Sequence, residues 1–166
     1  VGWPTQTRLE RYTLAVEIAG QSEGELVMED SQRELSRHLP CWLHAHGNAL
    51  VTGLGLGCVV RGLLACPKVE HVDVVEIDRN ILRVVGAEFV GNPRVTLHHG
   101  DALTWTPGPS QRWSIGWHDL WSAPEEEHLS ILHAKVLMRF ASYCDTQGAW
   151  QFPRCFKRQW PTPLIG

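Results

Sequence analysis

The stretch Leu50-Val51-Thr52-Gly53-Leu54-Gly55-Leu56-Gly57 decides how the rest of the chain is read. An apolar run, Ala49 to Val51, enters three glycines at alternate positions, and an apolar segment from Cys58 to Cys66 follows. That order predicts a buried parallel strand, a tight turn and a helix. Glycine reaches backbone angles closed to other residues and lets a ligand approach the main chain. The N–H groups at the helix start near Gly57 can then face a polar or negative ligand group. The stretch reads as a nucleotide-type binding turn. Taken by themselves, the glycines could also serve tight packing alone.

Downstream, the pattern repeats. The helix after Gly57 is expected to end near Pro67. His71 to Ile77 is a second buried strand, and Asp78 caps a helix expected through Phe89, with Ile81, Leu82, Val85 and Phe89 on its apolar face. Gly91-Asn92-Pro93 is a turn, Val95 to His99 a third strand, and Gly100-Asp101-Ala102 follows directly. Ser114 to His118 is a fourth strand ending at Asp119. Pro124 and the acids Glu125, Glu126 and Glu127 suit the start of a long helix to Tyr143. Gly148 to Phe152 is expected as a fifth strand, and residues 153–166, rich in proline, as an irregular tail.

Upstream, Arg11 to Ile18 alternates in polarity, residues 19–24 have turn chemistry, and Glu25 to Glu29 reads as a returning strand. Residues 1–30 are therefore expected as a β-hairpin extension of an α/β core spanning 31–152. Ser31-Gln32-Arg33-Glu34 matches a capping box, so a helix should start at Ser31 and end or kink at Pro40. Leu35, Leu39 and Leu43 are its expected core face. Strands alternating with helices predict a mostly parallel sheet covered on both faces, a three-layer α/β sandwich.

Composition bounds the rest. At 166 residues with 43% apolar content the chain suits one domain with a real core. A net charge of −3 supplies no general basic field, which argues against nucleic acid as a partner. Five cysteines without a Cys-x-x-Cys, and no secretory signal at the N-terminus, lead to an expectation of reduced thiols and a cytoplasmic protein. The longest apolar stretch, Ala49 to Cys66, contains Arg61 and four glycines and is a poor membrane span.

Four features fall at expected carboxyl ends of strands, where ligands bind in sheets of this kind: the glycine turn, Glu76, Asp101 and Asp119. Position 58 is Cys, and a dinucleotide fingerprint wants its third glycine one residue after Gly57, which tilts the turn away from nicotinamide or flavin cofactors. Glu76 offers two acceptor oxygens, enough for both hydroxyls of a ribose; a helix-capping or surface acid is the other reading. Asp101 can accept from an adenine amine while the Ala102 amide donates to the ring. It can equally cap a short helix through Trp105. Ile77 and Leu103 are candidates to sandwich such a ring. His118 is as well suited to packing away from the site, because neighbouring strand residues face opposite sides. No His or Cys spacing resembles a zinc motif, and no metal is expected.

Taken together, Leu50 to Gly57, Val74-Val75-Glu76-Ile77-Asp78, Asn92-Pro93-Arg94-Val95 with Gly100-Asp101-Ala102, and Trp113 to Asp119 resemble the class I S-adenosylmethionine-dependent methyltransferases. Within them the chain is most similar to the spermidine-synthase-like branch, over about residues 25 to 152. The resemblance implies a Rossmann-like fold and S-adenosylmethionine as cofactor. It implies that Gly53, Gly55 and Gly57 border the methionine part, that Glu76 holds the ribose and that Asp101 reads the adenine. Aminopropyl transfer in that branch uses an acid after the fourth strand and another three residues on. Asp119 fills the first position and Ser122 stands at the second, so a polyamine loses one carboxylate partner. Trp117, Trp121 and Trp113 could offer flat apolar or cation–π surface to a substrate, or could be core.

The expected function is methyl transfer by in-line displacement to a small-molecule or protein acceptor of unknown identity, with Asp119 beside it as base or amine holder. The alternatives are an aminopropyltransferase using decarboxylated S-adenosylmethionine and a non-catalytic cofactor-binding module. The terminal β-hairpin of such sheets is expected to be missing or vestigial, leaving an edge for a partner chain or a homo-oligomer.

Overall fold

The computed structural model describes residues 13–16, 25–29, 32–120, 126–150 and 152–157. Strands β1 (Thr13–Val16) and β2 (Glu25–Glu29) pair antiparallel as a separate two-stranded sheet. The main sheet holds β3 (Gly47–Thr52), β4 (Val69–Glu76), β5 (Val95–His99), β6 (Trp113–His118), β7 (Cys144–Ala149) and β8 (Phe152–Lys157). Its order is β5-β4-β3-β6-β7-β8; the first five strands run parallel and β8 runs antiparallel to β7. The chain steps outward from β3 through β4 to β5, then returns to the other flank of β3 with β6. The order reverses between β3 and β6, which opens a crevice at their carboxyl ends.

Alternation along the central strands builds two apolar layers. Val51, Val74, Ile115 and Trp117 face one side, packed with Val59, Val60 and Leu63 of helix α2 (Cys58–Ala65) and Cys41 of helix α1 (Gln32–His44). Leu50 and Val75 face the other, against Val136 and Phe140 of a long helix spanning Glu126–Phe140, and Trp113 and Cys144, the first residues of β6 and β7, join that cluster. Asp73 sits inside β4 yet is satisfied: His98 Nε2 lies 2.7 Å from Oδ1 and Trp113 Nε1 donates to Oδ2 at 2.8 Å. Burial pushes that carboxyl up, but these two bonds together with the charges of His98 and His71 outweigh it and the net shift is downward. Among the described residues no helix is long and apolar enough to cross a membrane.

Several expectations change. Pro40 does not end α1, which runs on to His44. Its buried face is His38, Cys41 and Ala45, whereas Leu39 and Leu43 are exposed. The cause lies across the interface. Gly62 of α2 presents no side chain where the Trp42 ring sits, and Trp42 Nε1 donates to the Val59 carbonyl at 3.2 Å. That contact fixes the rotation of α1. Ser31, its expected cap, lies outside the described residues. The helix capped by Asp78 is α3 (Arg79–Val84), with Asn80 N–H donating to Asp78 Oδ1 at 2.7 Å. It gives way to a 3₁₀ turn at Gly86–Phe89, where Gly86 packs against Leu97. The long helix, α4 in chain order, stops at Phe140, where the Ala141 and Tyr143 N–H groups turn to the carbonyls three residues back, Met138 and Phe140, at 3.3 and 2.9 Å. Strand β7 therefore begins at Cys144 and ends at Ala149, ahead of the expected strand at Gly148 to Phe152. Residues 152–157 of the expected irregular tail form β8. Proline at position 153 is tolerated because β8 is an edge strand and its pairing with β7 is irregular between Gln147 and Ala149.

Candidate functional site

The glycine turn opens directly from β3. Gly53, Gly55 and Gly57 have φ of +88°, +50° and +79°. At Gly53 the requirement is twofold. The angle belongs to the left-handed region, and a Cβ there would collide with the Asp119 carbonyl oxygen. The bare turn thus lets β3 and β6 present their ends side by side. Gly53 N–H donates to the Val75 carbonyl and Asp119 N–H to the Thr52 carbonyl, each at 2.8 Å. Arg61 ties the far end of the turn, donating to the Leu56 carbonyl at 2.8 Å while its other nitrogens bond Glu88.

Glu76 stands at the tip of β4 and is 5% exposed. Its Oε2 accepts the Leu54 N–H at 2.6 Å and its Oε1 the Asp78 N–H at 2.8 Å. The carboxylate is thus bonded to the glycine turn on one side and to the start of α3 on the other. Each oxygen retains a second lone pair, so ligand hydroxyls can still be accepted. Next along, Gly100 N–H donates to the Glu76 carbonyl at 2.9 Å, which sets the tip of β5 beside that of β4. Asp101 Oδ1 accepts the Leu103 N–H at 2.8 Å, and its carbonyl accepts from Thr104 and Trp105. The turn-capping role is therefore present, and Oδ2 is the oxygen left for a ligand. Arg139 of α4 grips the same turn through the Thr104 and Trp105 carbonyls at 3.1 and 2.8 Å. Ala102 is buried at 3% exposure, and Ile77 is 62% exposed at the mouth of the crevice.

Asp119 follows β6 and keeps 21% side-chain exposure. Sequence reasoning missed its neighbour. His38 of α1 is 2% exposed and its Nε2 lies 3.9 Å from Asp119 Oδ2. Burial first, and the charge of Arg37 second, hold its imidazole down to about 4, so it is neutral at pH 7. The available signal was the spacing of His38 with Cys41, Trp42 and Ala45 along one helical face.

The structure corrects two expectations about substrate contact. Trp117 is fully buried among Cys41, Val51, Val60 and Ile115, so its ring is core and offers no face to a substrate. Trp113, with its Nε1 on Asp73, is core as well. Trp121 and Ser122 lie outside the described residues. His118 is fully buried and points away from the crevice, with Nδ1 2.9 Å from Thr52 Oγ1 and Nε2 3.0 Å from Gln147 Oε1. Gln147 Nε2 donates to the Leu137 carbonyl, which orients the amide so that its oxygen accepts from Nε2–H of His118.

No protein-family model matches the chain. It is 40% identical to a spermine synthase of Arabidopsis thaliana over 81 residues, covering 45% of this chain and 23% of that one. It is 45% identical to ribosomal RNA small subunit methyltransferase A of Chromobacterium violaceum over 51 residues, covering 31% and 18%. Among solved structures, the 23S rRNA methyltransferase ErmE superposes with a TM-score of 0.54 at 16% identity, covering 72% of this chain and 45% of that one. The chain spans well under half the length of the curated relatives it matches. These similarities overturn the expectation that nucleic acid is an unlikely partner. Net charge is a sum that does not report where basic residues stand on a surface, and the chain is similar over 51 residues to a ribosomal RNA methyltransferase.

Proposed function

We propose that this chain, a member of the class I S-adenosylmethionine-dependent methyltransferase superfamily related to its spermidine-synthase-like branch, binds S-adenosylmethionine in the crevice between β3 and β6 and transfers its methyl group to an acceptor beside Asp119. The observation that carries this reading is Glu76. It is a buried carboxylate bonded to the backbone on both sides, with lone pairs to spare at the rim of a side-chain-free turn. That donor set fits an adenosyl group: Glu76 takes the ribose hydroxyls, Asp101 Oδ2 accepts from the adenine amine, and Ala102 N–H donates to the ring. Ile77 and Leu103 cover its faces. Gly53, Gly55 and Gly57 border the methionine portion, where the absence of side chains admits it to the main chain.

Bound there, the cofactor's sulfonium supplies an electrophilic methyl carbon. The chain's own contribution is alignment, together with a carboxylate that holds the acceptor or takes its proton. Asp119 is that carboxylate. Isothermal calorimetry with S-adenosylmethionine and S-adenosylhomocysteine tests the site. Wild type should bind both saturably, and Glu76→Ala should weaken binding by about 10- to 100-fold, the loss of two hydrogen bonds to a charged group in part replaced by water. Wild-type protein that binds neither compound sinks the proposal.

A second reading, aminopropyl transfer, draws on the 40% identity with a spermine synthase. Supplying labelled S-adenosylmethionine and labelled decarboxylated S-adenosylmethionine in parallel, with diamines, ribosomal RNA and a protein extract as acceptors, separates the two readings by which donor is consumed.

A further inference from the structure

We propose that His38 is a positioning residue for Asp119: its imidazole presents Nε2–H to Asp119 Oδ2 and so helps set how that carboxylate stands beside the acceptor. This rests on the reading of Asp119 as the group beside the acceptor.

The geometry fixes which nitrogen carries the proton. Nε2 is the ring atom that faces the carboxylate, at 3.9 Å. A lone pair there would be repelled by the carboxylate's charge, whereas an N–H is attracted to it. The proton therefore belongs on Nε2, and Nδ1 is left bare. Nδ1 is buried with no hydrogen-bond partner, so nothing on that side competes for the proton. The ring cannot swing far, since it packs against Trp42 at 5.8 Å and edge-on to Trp117 at 6.1 Å between centroids. Both indoles are themselves held, Trp42 by its bond to Val59 and Trp117 by the core. The separation of 3.9 Å exceeds a hydrogen bond, as is common before substrate closes a site.

The arrangement also gives α1 a task that the cofactor clasp does not. The clasp is built from β3, β4 and β5, whereas Asp119 comes from β6 with His38 above it. Changing His38 should therefore disturb the acceptor side and spare the cofactor side.

Long-range proton–nitrogen spectra of the 15N-labelled chain test this directly. The His38 signals are identified as those absent from His38→Gln. They should show the proton on Nε2, and in Asp119→Asn they should move while those of the remote His71 stay. A proton on Nδ1, or His38 signals identical in wild type and Asp119→Asn, overturns the proposal. In parallel, His38→Gln and His38→Leu should bind S-adenosylhomocysteine within about twofold of wild type. A tenfold loss in both places His38 in the cofactor clasp instead and overturns the assignment. Failure of wild type itself to bind would sink the transferase reading, and the pairing of His38 with Asp119 is then decided by the spectra alone.

Discussion

Glycine at position 53 is demanded by its neighbour as much as by its own angle. A methyl group there meets the Asp119 carbonyl oxygen, and φ is +88°. Gly53→Ala should cost about 2–4 kcal/mol, the left-handed penalty plus the displaced strand end, read from urea unfolding. Cofactor affinity should fall with it. Two of the three histidines buried among the described residues, His38 and His118, supply a second prediction. Burial, partly offset by the Gln147 hydrogen bond, holds His118 down to about 4, and His38 is held equally low. Their unfolded value is 6.5, so below that pH the unfolded chain binds protons that the folded chain refuses. The stability they contribute is complete above pH 6.5 and is lost as pH falls toward 4, at about 1.4 kcal/mol per pH unit for each ring. Between pH 6.5 and 5 the unfolding free energy of His38→Gln should fall less steeply than wild type by about that amount per unit. Equal slopes would show that His38 is not buried neutral. At this scale the sequence was informative where chemistry and position coincided: Glu76 and Asp101 stand at strand tips, and Asp78 caps a helix, as expected. His38 was hidden because its significance comes from an aspartate 81 positions away, a contact with no local signature.

Elements were legible where a single physical signal dominated. The hydrophobic runs of β3, β4 and β6 and the turn residues between them located the sheet. The misreadings share one cause, which is that packing overrode local pattern. Strand β7 reads Cys-Asp-Thr-Gln-Gly-Ala, too polar to pass for a central strand, yet Gln147 is satisfied by His118 and Leu137. In α1 the leucine spacing pointed to the wrong face, since Trp42 lies over Gly62. Gly62→Ala should therefore force the two helices apart. We expect a loss of about 1–3 kcal/mol and a shift in tryptophan emission as the Trp42 environment opens. Arg94 offers a parallel test. Its guanidinium bonds the carbonyls of Leu64, Cys66 and Val69, closing the end of α2 onto the start of β4. Arg94→Met keeps most of the stem and removes all three bonds. It should destabilise by about 2–4 kcal/mol in denaturant melts, because hydrogen bonds from a charged group exceed neutral ones.

Across the whole molecule, the halves divide the labour. Everything proposed to hold the cofactor comes from the chain up to residue 103, on β3, β4 and β5. The acceptor side comes afterwards, with β6, joined by His38 of α1 from upstream. The order of the six-stranded sheet puts these two halves back to back along one seam. At its carboxyl end that seam closes in the main-chain junction of residues 52–53 with Asp119: one amide-to-carbonyl bond and one bare α-carbon against a carbonyl. It follows that new acceptors can be accommodated by remodelling whatever follows Asp119 while the grip on the donor stays unaltered. The converse does not hold. Any side chain introduced at the seam is felt by both partners of the reaction at once, so a lineage or an engineer wanting a different donor would have to rebuild the acceptor side too.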